Sequence, residues 1–312
     1  MGFEMSFAFV YPGQGSQSVG MMAAYGDAPV VQQTLKEASD VLGFDLTTML
    51  AEGPAEELNK TINTQPVMLA AGVAVWRLWQ AQGGSAPAFM AGHSLGEYTA
   101  LVCAGALDFA DAIRLVRLRA EAMQSAVPEG VGAMAAILGL EDAAVVALCA
   151  EAAQSDVLEA VNFNSPGQVV IAGHKAAVDR GCVLAKEKGA KRALPLPVSV
   201  PSHCALMRPA AEKLSAALAK IEVRAPQIPV IHNADVAVHS DPAVIRDALA
   251  RQLHSPVRWV ESMHFLAAQG VTLIAECGPG KVLAGLNKRT LESVPTLAMA
   301  DAAALSDTLG KI

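Results

Sequence analysis

The sequence predicts an α/β protein built on a mostly parallel sheet with helices on both faces, plus a small inserted βαββαβ unit. Three observations carry that expectation. Short apolar runs of strand length alternate with longer amphipathic segments along most of the 312 residues. The stretch FMAGHSLGEYTALVCAG, residues 89–105, reads as a buried strand, a tight glycine turn and a helix. Residues 128–199 change rhythm to strand, helix, strand, strand, helix, strand, the order of a ferredoxin-like unit.

Taken in order, SFAFVYPG (6–13) is a short buried strand ending in a Gly-rich turn. Helices fill much of 20–83. VVQQTLKEASDVLG (30–43) and PVMLAAGVAVWRLWQAQG (66–83) each close on Gly, which tolerates the left-handed conformation after a helix. PAFMAG (87–92) is a strand, 95–104 a helix, and DFADAIRLVRLRAEAMQSAV (108–127) a longer helix capped by Asp108. In the inserted unit, GAMAAILG, VLEAVNF, QVVIAG and AKRALPLPVS (190–199) are strands, with two helices and the turn NSPG between them. The Pro-punctuated AVPEG and LPLPVSVPSH mark the crossing points. The expected division is therefore a large unit of 1–127 and 200–312 around a small one of 128–199. After it, PQIPVIHNAD (226–235) and GVTLIAECGPG (270–280) are strands, with helices around 205–220, 242–253 and 258–269.

Composition narrows the function classes. The chain is 53% hydrophobic and 17% charged, with a net charge of −7, which disfavours nucleic acid as the main partner. The longest uncharged run, Thr61 to Trp76, is too short and too polar to span a membrane. Five scattered cysteines without a CxxC pair indicate neither a zinc site nor a disulfide framework. The N-terminus has an acidic residue and no basic start, unlike a secretory signal. A cytoplasmic location is expected, with thiols reduced.

The turn Gly92-His93-Ser94-Leu95-Gly96 poses the chemical question. A polar residue between two glycines is either a plain tight turn or a nucleophile elbow. In an elbow the following helix aims free N–H groups and its positive dipole end at developing oxyanion charge. A base must then take the hydroxyl proton. Of seven histidines, His203 follows a β-like run and precedes a helix, the place where sites form in parallel α/β sheets, although an ordinary surface histidine would look the same. On the 108–127 helix, Arg119 falls on the apolar stripe of Ala112, Leu115, Val116 and Met123, while Asp111, Arg114 and Glu121 form the outer face. A guanidinium there needs an anion. That anion is either an internal salt-bridge partner or a ligand carboxylate held by the planar fork, and a snorkelling side chain is the remaining possibility. YPGQGSQ lacks the GK[ST] of a P-loop and the third glycine of a dinucleotide fingerprint; a loop of this kind can instead present the Gln14 N–H as an oxyanion donor.

These residues together resemble a family. YPGQGSQ, GPAEELNKTINTQP, GHSLGEY, Arg119, VNFNSPGQVVIAG, VSVPSH and ECGPGKVL occur in the order seen in malonyl-CoA:acyl carrier protein transacylases of bacterial fatty acid synthesis, across essentially the whole chain. The resemblance implies an α/β-hydrolase-like core carrying a ferredoxin-like insertion. It implies Ser94 as the acyl acceptor, His203 as general base and Arg119 as partner of the malonyl carboxylate. The Gln14 and Leu95 amides would form the oxyanion hole, with Gln65, His93 and Asn162 lining the site. No Asp sits convincingly at a strand end between Ser94 and His203. The family orients its histidine through a backbone carbonyl, here near Gln252, so a Ser–His dyad is expected, with Asp235 as the alternative carboxylate.

The implied reaction is a ping-pong transfer from malonyl-CoA to the phosphopantetheine thiol of acyl carrier protein, without metal or redox cofactor, by a monomer. Acyl carrier protein is acidic, as is this chain, so docking requires local positive charge. Lys191-Arg192 and Lys288-Arg289 are the candidates, against the plainer reading of solvated surface charge. Two other functions fit the same residues: a serine hydrolase or thioesterase, which has no evident use for Arg119, and a standalone acyltransferase of a polyketide pathway.

Overall fold

The computed structural model describes residues 6–198 and 200–312. The expectation about the N-terminal five residues, and the last position of the 190–199 strand, lie outside the described residues. The strands are β1 (Phe7–Tyr11), β2 (Phe89–Gly92), β3 (Gly132–Leu138), β4 (Leu158–Ser165), β5 (Gln168–His174), β6 (Arg192–Pro195), β7 (Val230–Ile231), β8 (Leu273–Glu276) and β9 (Thr296–Ala298). They form two sheets. One has the order β7-β2-β1-β8-β9 with every pairing parallel. The other has the order β4-β5-β3-β6 with every pairing antiparallel.

The parallel sheet is a mixed-layer core. β1 lies at its centre and is buried throughout. Phe7, Phe9 and Tyr11 point into one apolar cluster with the Pro29–Leu42, Thr61–Ala81 and Phe109–Ser125 helices. Ala8 and Val10 point into another with the Trp259–Ala268 and Val282–Thr290 helices. A strand covered on both faces has no polar side to show, which is why this run reads as continuously apolar. The Phe9 ring meets Trp76 and Trp79 edge-on at centroid distances of 5.9 and 5.1 Å.

The antiparallel sheet packs the Asp142–Ala153 and Lys175–Glu187 helices on one face. Its β4 edge joins the segment before the Trp259 helix. Val257 donates to Val161 O at 2.8 Å and accepts from Phe163 N at 3.1 Å, which fixes this sheet beside the carboxyl ends of the parallel one.

Several element boundaries differ from expectation for identifiable reasons. The helix expected over 66–83 begins at Thr61, not Pro66, so Pro66 lies inside a helix. Its missing N–H would have bonded Ile62 O, and Arg117 Nη1 donates to that carbonyl instead, at 3.3 Å. The 190–199 strand shrinks to Arg192–Pro195, and Pro197, with no N–H to donate, cannot extend the ladder. The described residues of VSVPSH are loop rather than strand, and PQIPVIHNAD contributes only Val230–Ile231. The three-residue β9 and the Ala302–Leu309 helix were not anticipated.

The glycines at the sharp turn are a steric requirement. A Cβ built on Gly92 would lie 1.9 Å from the Gly96 carbonyl carbon, whereas one built on Gly285, inside the Val282–Thr290 helix, would meet nothing within 4 Å. Gly92→Ala should therefore destabilise the fold by about 3 kcal/mol in urea denaturation, the range of core overpacking. Gly285→Ala should instead stabilise it by about 0.5–1 kcal/mol, the helix-interior difference between the two residues.

Candidate active site

The chain leaves β2 at Gly92 and enters the Gly96–Cys103 helix, and Ser94 between them is held at φ 51°. A side chain on Gly96 would come within 2.1 Å of Tyr11 O, so both flanking positions are closed to any Cβ. Positive φ in a serine is strained, and Asn233 holds it in place. The Asn233 side chain accepts from Ser94 N at 2.8 Å and donates to Gly92 O at 2.7 Å, spanning the turn from just beyond β7.

His203 approaches from a loop. It too has positive φ, 66°, and its backbone N–H donates to Leu253 O at 3.0 Å. Its Nε2 lies 2.8 Å from Ser94 Oγ and its Nδ1 lies 2.7 Å from the Gln252 backbone oxygen. A carbonyl only accepts, so Nδ1 carries the proton and Nε2 offers its lone pair to the serine hydroxyl. Burial, and next the nearby Arg119 cation, push the His203 pKa down to about 3; the Gln252 carbonyl opposes them. The imidazole is thus neutral, the form a base needs. Asp235 takes no part in this: its carboxylate meets His239 at 3.0 Å and Arg251 at 2.9 Å.

Arg119 is 1% exposed, which removes the snorkelling reading. Among the described residues no acid pairs with it directly. Nη1 donates to Gln65 Oε1 at 2.8 Å, and Nη2 to Gln252 Oε1 at 3.0 Å and Ser94 Oγ at 3.2 Å. Nε has no partner. Burial lowers its pKa from the usual guanidinium value, with Tyr98 and Glu97 acting in the opposite direction. A buried cation whose hydrogen bonds go to neutral oxygens, lying over the Tyr98 ring with a donor to spare, is a receptor for an anion placed beside the serine. From Gln65 the hydrogen bonds continue: its Nε2 donates to Thr61 Oγ1 at 3.1 Å, and Thr61 donates to Gln14 Oε1 at 3.0 Å. The guanidinium is therefore linked to the Gly-rich loop after β1.

That loop packs directly on the turn, since a Cβ on Gly13 would lie 2.5 Å from His93 O and 3.7 Å from Leu95 N. Neither the Gln14 nor the Leu95 amide has a protein acceptor among the described residues. Both stand free next to Ser94, as oxyanion donors must. His93 Nε2 meets Asn164 Oδ1 at 2.7 Å, and its ring lies 5.3 Å from that of Trp259. Asn162, the expected liner, is 6% exposed at an irregularity of β4 and makes no side-chain hydrogen bond among the described residues. Asn164 reaches the turn in its place.

Lys191, Arg192, Lys288 and Arg289 are all exposed. Arg192, Leu138, Gln168 and Ser165 are register partners across one end of the antiparallel sheet, and Arg289 bonds both Ser165 and Gln168, at 3.3 and 3.0 Å. The two dibasic pairs thus flank the same sheet end, next to Asn164. No group of three or more His, Cys, Asp or Glu among the described residues is placed to hold a metal ion.

Sequence reasoning missed Asn233, the Gln252 side chain, Thr61 and Glu97. Asn233 and Glu97 had a usable signal, since each is a polar residue directly beyond a buried strand or inside the apolar run after the turn. Gln252 and Thr61 had none.

The chain matches the acyl transferase domain family over residues 8–309. It is 60% identical to the malonyl CoA-acyl carrier protein transacylase of Salmonella typhimurium, covering 97% of this chain and 98% of that one. Its likeness to the Bacillus subtilis protein of the same name is 46%, over 94% and 93%. Among solved structures, the acyl-carrier-protein S-malonyltransferase of Burkholderia pseudomallei superposes with a TM-score of 0.97 at 60% identity, covering 98% and 100% of the two chains. A malonyl-transacylase solved with its type II polyketide acyl-carrier protein gives 0.97 at 56%, again over 98% and 100%. A serine turn, an imidazole and a buried guanidinium meeting at one point, with this likeness along the whole length, leave one conclusion: the chain belongs to the acyl transferase family, among the malonyl CoA-acyl carrier protein transacylases.

Proposed function

We propose that this chain moves a malonyl group from malonyl-CoA to the phosphopantetheine thiol of acyl carrier protein, in fatty acid synthesis, through a malonyl ester of Ser94. The observation that carries the reading is Arg119 Nη2 at 3.2 Å from Ser94 Oγ, inside the pocket that also holds the His203 imidazole. A hydrolase of simple esters has no need for that cation. The names of the relatives carry the same two substrates.

The reaction runs in two half-cycles. His203 Nε2 takes the Ser94 proton as Oγ attacks the thioester carbonyl. The Leu95 and Gln14 amides receive the tetrahedral oxyanion, and CoA leaves with the proton from the imidazolium. The carrier thiol then loses its proton to His203, attacks the serine ester and departs with the malonyl group, returning the proton to Ser94. Protons alone balance both steps, so the proposal includes no metal or redox cofactor. Exchanging one thioester for another is nearly isoenergetic, which leaves selection to binding. Arg119 rejects acetyl because the acetyl group leaves the cation without its anion.

Lys191, Arg192, Lys288 and Arg289 form the proposed docking patch for the acidic carrier. Three strand spacings separate the two pairs, about 14 Å, a width suited to one small domain. The order β4-β5-β3-β6 supports a ferredoxin-like reading of 128–199, and the five parallel strands with a serine elbow support a hydrolase-like core of 1–127 and 200–312. No helix of the described residues is long and apolar enough to cross a membrane. A second carrier class is favoured by one observation: a 56%-identical relative is solved with a polyketide carrier protein.

The deciding assay is the fate of malonyl-CoA. Without acceptor, CoA release should stop after one turnover and intact mass should show one malonyl group, absent in Ser94→Ala; with added carrier protein, malonyl-carrier should accumulate. Continuous CoA release without acceptor would identify a hydrolase instead. In the same assay, Lys191→Glu with Arg192→Glu should raise the KM for carrier and leave malonyl uptake from CoA unchanged.

Arg119→Ala should lower malonyl uptake relative to acetyl uptake by about 2–3 kcal/mol, on the order of 30- to 150-fold, as for a lost charge-assisted pair. Equal losses on both donors would mean a structural role. Because the neutral imidazole is the working form and its pKa lies at about 3, single-turnover acylation should stay level from pH 8 to about 5 rather than fall through the ordinary histidine range. Removing the Arg119 cation relieves the second-largest influence that depresses that pKa, after burial, so the acid limb of Arg119→Ala should move to higher pH.

A further inference from the structure

Three residues beyond Ser94, the helix carries a carboxylate that the proposed chemistry does not use. Glu97 is 0% exposed and lies in the first turn of the Gly96–Cys103 helix. Its Oε2 accepts from Gln252 Nε2 at 2.8 Å and from Asn233 N at 3.0 Å. Its Oε1 faces His232 Nδ1 at 2.6 Å, and His232 is equally buried. The charge of this pair follows from the hydrogen bonds. His232 Nε2 has no partner among the described residues, so a proton there would be buried and unsatisfied. The neutral tautomer with its proton on Nδ1 avoids that cost, and the negative charge stays on Glu97.

Gln252 then connects this anion to every reacting group. Its Oε1 accepts from Arg119 Nη2 at 3.0 Å, its Nε2 donates to Ser94 O at 2.9 Å as well as to Glu97, and its backbone oxygen holds His203 Nδ1 at 2.7 Å. The amide is oriented with N–H toward the anion and C=O toward the cation. Arg119 and Glu97 are therefore a buried ion pair separated by one aligned amide.

We infer that Glu97 is a positioning residue of the transfer proposed above: a buried carboxylate that, through the Gln252 amide, serves as counter-charge to Arg119 and to the imidazolium that forms on His203. A backbone carbonyl orients His203 without a full negative charge, and Glu97 supplies that charge from one residue further away. The inference rests on the proposed transfer and extends it to a second effect of opposite sign. An anion near the site favours the imidazolium of the transition state but repels the malonyl carboxylate in the ground state.

Glu97→Gln separates the two effects. The amide can keep its oxygen toward Gln252 and Asn233 and turn its N–H toward His232 Nδ1, whose proton then moves to the unpartnered Nε2; shape is retained and the charge is lost, while the cost of that buried N–H falls on stability, which urea denaturation reads separately. In single-turnover malonyl uptake, the limiting rate should fall at least tenfold while the half-saturating malonyl-CoA concentration stays level or drops. A smaller fall, or a fall accompanied by a raised half-saturating concentration as general disorder would give, overturns the inference. If circular dichroism shows that Glu97→Gln does not fold, Gln252→Met cuts the bridge while leaving Glu97 with His232 and Asn233. It should lose at least tenfold in limiting rate, and a smaller loss overturns the inference. Wild-type chain that takes up no malonyl overturns the functional reading itself, whereas active wild type with an unaffected variant overturns only the role of Glu97.

Discussion

A full positive charge at 1% exposure, hydrogen-bonded among the described residues only to neutral oxygens and lying over the Tyr98 ring, is the constraint around which this molecule is arranged. Removing a guanidinium from water costs several kcal/mol unless its donors are satisfied. Gln65, Gln252 and Ser94 satisfy part of that requirement. The remainder, an unpartnered Nε, is left for a guest. The site is thus stable enough to exist empty and incomplete enough to favour an anionic acyl group. Selectivity and pre-organisation have the same physical origin here.

The fold serves this by bringing distant segments to one sheet edge. β1, β2 and β7 are neighbours and parallel, so the loops beyond Tyr11, Gly92 and Ile231 emerge side by side. They carry Gln14, Ser94 and Asn233. The turn can be this sharp only because no Cβ intrudes at Gly92 or Gly96. His203 and Gln252 come from elsewhere, joined by the His203 N to Leu253 O bond, which places the imidazole and its orienting carbonyl as one unit. Two of the positive-φ residues other than glycine, Ser94 and His203, face each other across 2.8 Å. Backbone strain is concentrated where the chemistry is.

Some of this was legible in the sequence because it depends on local pattern. The strand, turn and helix around Ser94 are contiguous, and the inward position of Arg119 follows from helical periodicity. The run VSVPSH pointed to His203, although its described residues form no strand. What stayed hidden is set by tertiary contact. Thr61 matters only because the helix starts before Pro66, which Arg117 permits by replacing a lost donor. Asn162 and Asn164 are two residues apart in β4, where register shifts interrupt the ladder, and it is Asn164 that bonds His93. Short β9 has too few residues to carry a period.

The central claim is that one acyl group touches the serine, the two free amides and the guanidinium together. A crystal structure of the malonyl-enzyme, grown with malonyl-CoA and no carrier, tests this most directly. The expected density is a malonyl ester on Ser94 Oγ, its carbonyl oxygen at about 3 Å from both the Leu95 and Gln14 amides. The free carboxylate should be paired with Arg119, now including Nε. An ester whose carboxylate points to solvent, with Arg119 still bound only to Gln65 and Gln252, would contradict that claim.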